Sequence, residues 1–428
     1  MVEQLTYAQK IRSLRWNYAF AAANTIFTTL TVFGNVFILF LDKLGLPKSR
    51  IGFILSLFPF CGVVALFIAP HIARFGLKRT LVIFWGARKI VTCFLLLTPL
   101  VLFRYGAGSA FTFVAAVILM FAICRAVGES AFYPWLQEVI PDDIRGRFFA
   151  TNSVVANVIT IISIGFAGYV IGRSDTLNSF MLLMAIGIFF GFIAVWSSTR
   201  IPGGAPQSVD SSETRYFRDI IDPARDPNFL RYLLGIGAIA FTVGIAAFFP
   251  LYFAHEVGIS SANVVLLSIA ASLGGVISYV WGWAADKYGG KRALLFCLRL
   301  SLMVPIFLML MPRHSEWSFL AASAIMFGSG AFTTGNTTAS LQIMYVNLVP
   351  ADNSTRYMAL YYAWSGLIGG LSPILAGFIL EHAKHISGRI GILTLDSYTP
   401  LLVLIILGTL AAILLVRSIG KTGRTDTV

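Results

Sequence analysis

The feature that most constrains this chain is a series of apolar runs, each long enough to cross a lipid bilayer. A helix rises about 1.5 Å per residue, so roughly 20 apolar residues span the hydrocarbon core of a membrane. Lipid offers the backbone no hydrogen bonds, so runs of this length are predicted to be helices. Twelve such runs lie at 17–40, 51–70, 80–103, 110–137, 147–172, 178–198, 231–254, 261–283, 292–311, 317–347, 357–380 and 397–417.

The composition excludes a soluble protein and gives no support to an enzyme. Of the 428 residues, 57% are apolar and 12% are charged, about half the charged share of a soluble domain. We find no Ser–His–Asp set, paired carboxylates or phosphate loop, and we expect no enzymatic activity and no cofactor. No metal site is expected either, because the cysteines are isolated within apolar runs. They are Cys61, Cys93, Cys124 and Cys297.

The basic residues predict the orientation in the membrane. The net charge of +13 does not indicate a nucleic-acid partner, because the bases lie in short loops between apolar runs. Of the 32 Lys and Arg, 20 fall in the even loops and the tails and 8 in the odd loops. By the positive-inside rule, both termini and the central loop are cytoplasmic. The polar stretch 199–229 then links two domains, 1–198 and 230–428.

The two halves of the chain repeat each other, which predicts two similar bundles. At an offset of 213, matches include Gly45 with Gly258, Arg74 with Lys287, Gly76 with Gly289, Lys78 with Lys291, Arg79 with Arg292 and Leu81 with Leu294. At an offset of 209, they include Pro141 with Pro350, Asp143 with Asp352, Arg147 with Arg356 and Ala150 with Ala359. We therefore predict an all-α integral membrane protein with twelve spans in two pseudo-symmetric six-helix bundles.

The loop 282–292 carries a short motif with its own chemistry. Gly282 can admit a neighbouring helix, Gly289 allows a tight turn, and Asp286 followed by bases can hold helix ends by charge. The order matches G-x-x-x-D-[KR]-x-G-[RGK]-[KR], so the chain resembles the major facilitator superfamily. The resemblance covers nearly the whole chain, from about 17 to 417.

The resemblance implies an alternating-access transporter of the cell membrane, with a site between two bundles near the midplane. It also implies a conformational latch, in which Asp286 meets the start of span eleven at 350–356. Ala69 and Ala73 stand where the first copy of the motif would have glycine and aspartate, so we expect a single charged latch. The predicted latch residues are Gly282, Asp286, Lys287, Gly289, Lys291, Arg74 and Gly76.

Charged residues inside the apolar runs are candidates for function, because a charge in the membrane is costly. Arg125 and Glu129 are four residues apart and share one helix face. The segment resembles the family's R-x-x-x-G motif, shifted by one position. The resemblance implies that this arginine takes part in proton coupling, as it does in relatives. Glu129 with Arg125 is therefore the predicted coupling site, and a purely structural ion pair is the alternative. For Arg88 and Lys89, the alternatives are pairing with Glu129 and snorkelling to the headgroups.

Two polar stripes predict where a solute would bind. Span one carries Asn24, Thr28, Thr31 and Asn35, and span ten carries Ser329, Thr333, Asn336 and Ser340. Such stripes either line a wet cavity or join helices by hydrogen bonds. Amides and hydroxyls beside aromatic rings suit a sugar-like solute. The predicted substrate-binding residues are Asn24, Thr28, Thr31, Asn35, Arg125, Tyr133, Asn157, Thr333, Asn336, Ser340, Tyr361 and Trp364.

We expect a monomeric secondary transporter, active or facilitative, of a small polar solute, sugar-like or an organic anion, with protons as a candidate coupling ion. The excess of bases over acids within the spans favours an anionic group. A multidrug or amphiphile exporter is the alternative. The fifth span has Gly165, Gly168 and Gly172 but lacks the G-P-x-x-G-G signature of drug/proton antiporters. A membrane receptor with a transporter fold is a third hypothesis. It is less favoured because a receptor would usually need a signalling extension, and the polar segments are too short for one.

Overall fold

The computed structural model describes residues 6–205, 222–349, 354–390 and 393–420, without the side chains of 64–74, 347, 354–355, 389–390 and 393. These residues are almost entirely helical. The exception is a small antiparallel hairpin, in which β1 (Gly388–Ile390) pairs with β2 (Leu393–Leu395).

The chain separates into two compact units. The first comprises Met1–Leu46 and Phe60–Ser211, and the second comprises Pro47–Pro59 and Ser212–Val428. The helices in the first half of the chain are α1 (Tyr7–Leu30), α2 (Asn35–Lys43), α3 (Lys48–Phe75), α4 (Leu77–Cys93), α5 (Thr98–Val139), α6 (Arg145–Arg173) and α7 (Leu177–Thr199). Those in the second half are α8 (Pro227–Ala246), α9 (Phe249–His255), α10 (Ser261–Gly275), α11 (Ser278–Tyr288), α12 (Gly290–Ser301), α13 (Met303–Leu310), α14 (Ser318–Gln342), α15 (Ser354–His382) and α16 (Thr399–Ser418).

Within the described residues, nine helical stretches are long and apolar enough to cross a membrane. One of them, Leu77–Val139, contains two predicted spans and changes direction at Gly106, where φ is 78°. The predicted spans near 51–70 and 317–347 are occupied by α3 and α14, which are not among the nine. The structure is therefore multi-helical as predicted, and the count of twelve spans stays a prediction.

Glycines at corresponding places in the two halves make the same turn. Gly76 separates α3 from α4 with φ 99° and ψ 129°, and Gly289 separates α11 from α12 with φ 87° and ψ 143°. Residues with a Cβ rarely adopt a positive φ, so glycine is required at both places. The tight turn predicted at Gly289 is confirmed, and at this turn the sequence repeat corresponds to a similar backbone conformation in both halves.

The core of the first unit is aromatic and centres on Trp85 of α4. The rings of Phe20 on α1 and Phe132 on α5 stack against it, with centroids 5.1 and 5.5 Å away. A Cβ on Gly128 would collide with the Trp85 ring, so this glycine lets α5 approach α4 closely. The segment that follows Trp85 is thereby fixed between α1 and α5.

The core of the second unit joins α8, α14 and α15. Tyr232 is fully buried, and its hydroxyl donates to the carbonyl oxygen of Ser340 at 2.8 Å. Its ring stacks on Tyr361, with centroids 6.3 Å apart. Gly335 faces Cys297 and Trp281, where a Cβ would be crowded. These contacts hold α14 against α12 and position the polar face of α14 that includes Asn336.

Candidate functional site

Two adjacent bases on α4 are buried inside the first unit and share one acceptor. Arg88 Nη2 and Lys89 Nζ both donate to Oδ1 of Asn24 on α1, at 3.0 and 2.9 Å. Arg88 is 1% exposed and Lys89 is 0% exposed. The two hydrogen-bond lengths limit the separation of the two nitrogens to 5.9 Å at most. Two protonated groups that close repel by about 3 kcal/mol at an effective dielectric constant of 20.

Aromatic rings surround the two bases and supply part of the compensation. The guanidinium of Arg88 lies 4.4 Å from the ring centroid of Trp85 and 5.3 Å from that of Phe121. Lys89 Nζ lies 3.2 Å from the ring centroid of Phe27. A desolvated cation over an aromatic face gains about 2 kcal/mol. The bases are therefore held by an amide oxygen and ring faces.

Neither of the two predicted arrangements for Arg88 and Lys89 is present. Among the described residues, no carboxylate forms an ion pair with either base, and Glu129 pairs with Arg125 instead. Snorkelling is also absent, because neither side chain reaches the surface of the unit. The physical reason is Asn24, whose amide oxygen lies on the neighbouring helix within reach of both donors.

The predicted pair on α5 is formed. Arg125 Nε donates to Glu129 Oε1 at 2.7 Å, and the guanidinium lies 4.8 Å from the ring centroid of Phe33. The side chains are 31% and 40% exposed, so the carboxylate is open at one side. The (i, i+4) spacing places both groups on one helix face, as expected. Glu129 is thus a half-exposed acid whose partner is a base on its own helix.

The polar stripe of span one does not stay on one face. Thr28 and Thr31 donate their hydroxyls to carbonyls of α1 itself, and Thr31 is fully buried. Asn35 begins α2 after a break at Gly34, where φ is 77°. Asn24 contacts two charged side chains of another helix, Arg88 and Lys89 on α4. The break at Gly34 separates Asn35 from the face that α1 presents.

A small cavity lies inside the second unit, and residues of the span-ten stripe line it. Its volume is about 60 Å³. Asn336 Nδ2 donates to Ser301 Oγ at 3.2 Å, and Ser340 donates to the carbonyl oxygen of Asn336. The walls are formed by Ile239, Thr242, Val243, Ala246, Phe249, Ser301, Val304, Pro305, Ser329, Phe332, Thr333, Asn336, Ile405 and Thr409. Of the predicted substrate residues, Thr333 and Asn336 line this cavity.

The other predicted substrate residues lie elsewhere. Tyr361 and the half-buried Trp364 pack against α8, where Trp364 meets Gly237. Tyr133 is 65% exposed beside Phe132, and Asn157 is half-buried on α6. The predicted set therefore divides into a group at α1 and α5, a group at the cavity, and separate residues.

The predicted latch residues have other contacts in this structure. Asp286 accepts a hydrogen bond from Gln342 Nε2 at 2.9 Å, whereas its expected partners at 350–353 lie outside the described residues. Lys287 lies over the ring of Trp283, at 4.8 Å. At Gly282, where a close helix approach was expected, a Cβ would meet no atom of the described residues within 4 Å. The side chain of Arg74 also lies outside the described residues.

Lys291 caps a helix, a role that the sequence did not indicate. Its Nζ donates to the carbonyl oxygens of Arg417 and Ile419 at the end of α16, at 3.0 and 2.5 Å. At the matching place in the first half, Lys78 Nζ donates to the carbonyl oxygen of Thr199 at the end of α7, at 3.0 Å. A cation at a helix C-terminus satisfies free carbonyls and interacts well with the helix dipole.

Comparisons with known proteins agree on the fold. A family model described as Major Facilitator Superfamily matches residues 19–373 and again 234–426. A search of curated proteins found no relative. Among solved structures, a point mutant of the nucleoside transporter NupG has a TM-score of 0.70 at 13% identity and covers 95% of this chain and 100% of its own. A D-xylose-proton symporter has a TM-score of 0.69 at 12% identity and covers 98% and 99%. A bacterial homologue of the iron transporter ferroportin has a TM-score of 0.66 at 11% identity and covers 97% and 99%.

Proposed function

The chain belongs to the major facilitator superfamily, and on that premise we propose that it carries a small polar solute across the cell membrane by alternating access, coupled to protons. The family and the fold make it a multi-pass membrane transporter and not an enzyme. The solute and the coupling are the proposal, as are the cytoplasmic termini and the monomeric state.

The observation that carries the proposal is the ion pair of Arg125 and Glu129. A carboxylate within an apolar span is a candidate proton carrier, and this one is 40% exposed. Protonation of Glu129 removes its attraction to Arg125 and frees the guanidinium to move or to bind a solute. Coupling requires such a change, because a proton shifts a conformational equilibrium only if it binds the two states differently.

The burial of Arg88 and Lys89 favours a neutral solute over an organic anion. The excess of bases suggested an anionic group, but these two side chains are enclosed by rings and by Asn24. A solute cannot reach them in this arrangement. Two of the similar solved proteins are, by name, transporters of nucleosides and of D-xylose, which are hydroxyl-rich solutes. We therefore place a sugar-like solute first and an organic anion second.

The proposal is tested by uptake into proteoliposomes under an imposed pH gradient, screened over pentoses, nucleosides, organic acids and cationic dyes. The expected result is accumulation of a hydroxyl-rich solute. Glu129→Gln should abolish accumulation and preserve downhill exchange, because the amide cannot carry the proton.

The matched control is Glu138→Gln. Glu138 also lies on α5, but its carboxylate accepts from the backbone nitrogen of Gly204. Accumulation should persist in that variant. Accumulation that survives Glu129→Gln would make the pair structural, and dye transport alone would favour a multidrug exporter.

A further inference from the structure

The cavity in the second unit has a mouth and a floor of different exposure. At the mouth, Val243 is 50% exposed and Thr333 is also exposed. At the floor, Asn336 is 8% exposed and Thr409 is 4% exposed. The volume of about 60 Å³ is enough for roughly four to six water molecules, at about 10–15 Å³ each on this measure.

The floor has an unused hydrogen-bond acceptor. Asn336 Oδ1 is buried and has no hydrogen-bond partner among the described residues. The orientation of the amide is fixed by its neighbour: Ser301 donates its only hydroxyl proton to the carbonyl oxygen of Cys297, so it can only accept from Asn336. A buried acceptor without a partner is unfavourable, so this oxygen requires a donor.

The hydroxyl groups of the lining also differ in whether they already form a hydrogen bond. Thr242 and Thr409 donate to the carbonyls of Ile239 and Ile405 on their own helices. By contrast, Ser329 and Thr333 on α14 have no side-chain hydrogen bond in the described part of the chain. With Asn336 they lie at spacings of four and three, so they form one face of the helix. This face can offer two hydroxyls and one amide oxygen to a bound molecule.

From these contacts we infer that the cavity is a binding subsite for the hydroxyl groups of a small, uncharged solute. No side chain in the described lining is ionisable, and an unpaired charge would be costly there. An apolar ligand would leave Asn336 Oδ1 unpaired. The apolar side chains, Phe249 and Phe332 among them, suit the carbon face of a polyol or sugar. The inference deepens the proposed function and rests on it, since it names the class of solute.

The subsite is tested by protection from chemical labelling in detergent, which does not require transport. Ser329→Cys is an isosteric probe in the lining, and its modification by methyl methanethiosulfonate is followed at residue 329 by mass spectrometry. Glycerol, erythritol and xylitol should slow the labelling, whereas betaine at equal osmolality should not. Tyr279→Cys, at a site 83% exposed on α11, controls for general effects of the polyols.

Matched variants decide which groups bind the polyol. In the Ser329→Cys protein, Thr333→Val and Asn336→Leu should each raise the half-protecting polyol concentration about fivefold to tenfold, because each removes one hydrogen bond. Thr242→Val should raise it less than Thr333→Val does, because the only proton of the Thr242 hydroxyl is already donated within its own helix. Size-exclusion profiles confirm folding, and Thr333→Val keeps the test open if Asn336→Leu misfolds.

Three results would overturn the inference. Labelling that no polyol slows would mean that the cavity holds water only. Equal effects of Thr242→Val and Thr333→Val would mean that protection does not depend on the free hydroxyl. Protection by acetate equal to that by xylitol would contradict an uncharged ligand. Uptake in the pentose and nucleoside screen is measured separately, so a failed subsite and a failed transport function give different results.

Discussion

The two units carry very different side chains at the same position of the repeat. Arg88 in α4 and Ser301 in α12 are 213 residues apart, the offset that relates the two loop motifs. In the first unit, Arg88 and Lys89 fill the interior and meet Asn24 from a neighbouring helix. In the second unit, Ser301 is short, meets Asn336, and leaves a cavity. Corresponding positions of the repeat thus face an interior filled by two bases in one half and a hollow, uncharged interior in the other.

The supporting contacts are alike in both units. The lysine that follows each loop glycine, Lys78 or Lys291, caps the final helix of its unit. Gly76 and Gly289 have the same backbone conformation. The two units therefore share the lysine caps and the loop glycines but differ in side-chain chemistry at Arg88 and Ser301. We expect mutations at the caps and glycines to change stability equally in both halves, and mutations in the two interiors to change it unequally.

The largest expected effect is a difference in stability between variants of the two buried amides, Asn24 and Asn336. Asn24→Leu removes the shared acceptor of two buried bases and should lower the free energy of unfolding by roughly 3 kcal/mol or more. Asn336→Leu removes one neutral hydrogen bond and should cost about 1 kcal/mol. Unfolding by SDS in mixed micelles measures both. Adding Lys89→Met to Asn24→Leu should restore part of the loss, because it removes one unpaired charge. Equal losses for the two leucine variants would contradict the contrast.

An intermediate effect is expected at the loop glycines. Gly76→Ala and Gly289→Ala force a Cβ into a backbone conformation that only glycine adopts easily, at a cost of about 1–3 kcal/mol each. The two losses should agree within about 0.5 kcal/mol in the same unfolding assay. A cost confined to one half would show that the shared turn matters differently in the two units. Gly282→Ala is the control and should be close to neutral, since no atom of the described residues lies within 4 Å of a Cβ at that position.

The smallest effect is expected at the lysine caps. Lys78→Met and Lys291→Met keep the length of the side chain and remove its hydrogen bonds to the carbonyls at the helix end. Each should cost about 0.3–1 kcal/mol. The measurement is again the unfolding midpoint, at low and high salt, because screening weakens an effect of charge. If Lys291→Met left stability unchanged and altered only transport, the predicted latch role would be the better account of this residue.

The sequence predicted what depends on local spacing. The bilayer-length runs, the pairing of Arg125 with Glu129 four residues later, and the turn at Gly289 all follow from one helix or one loop. The fold class also followed, because long apolar runs in lipid leave few alternatives to helix bundles.

Contacts between distant segments could not be predicted from the sequence. The meeting of Arg88 with Asn24 joins residues 64 apart, and Lys291 reaches Arg417 across 126 residues. No spacing rule brings such pairs together. The span-ten stripe did indicate a wet cavity as one of two alternatives, and Ser329, Thr333 and Asn336 line it. The wall at Ser301 was not predicted, although the comparison of this small residue with Arg88 at the repeat offset was available in the sequence.

The positions of the lysine caps and their partners also determine the order in which the last helix of each unit can be capped during synthesis. Lys78 is made 121 residues before its partner Thr199, a delay of about 6–24 s at ~5–20 residues per second. The corresponding contact of Lys291 needs Ile419, which lies 220 residues beyond Thr199. The first unit therefore secures its final helix while much of the second is still untranslated. Once the polar segment after α7 has left the ribosome, Lys78 can already cap the last helix of the first unit.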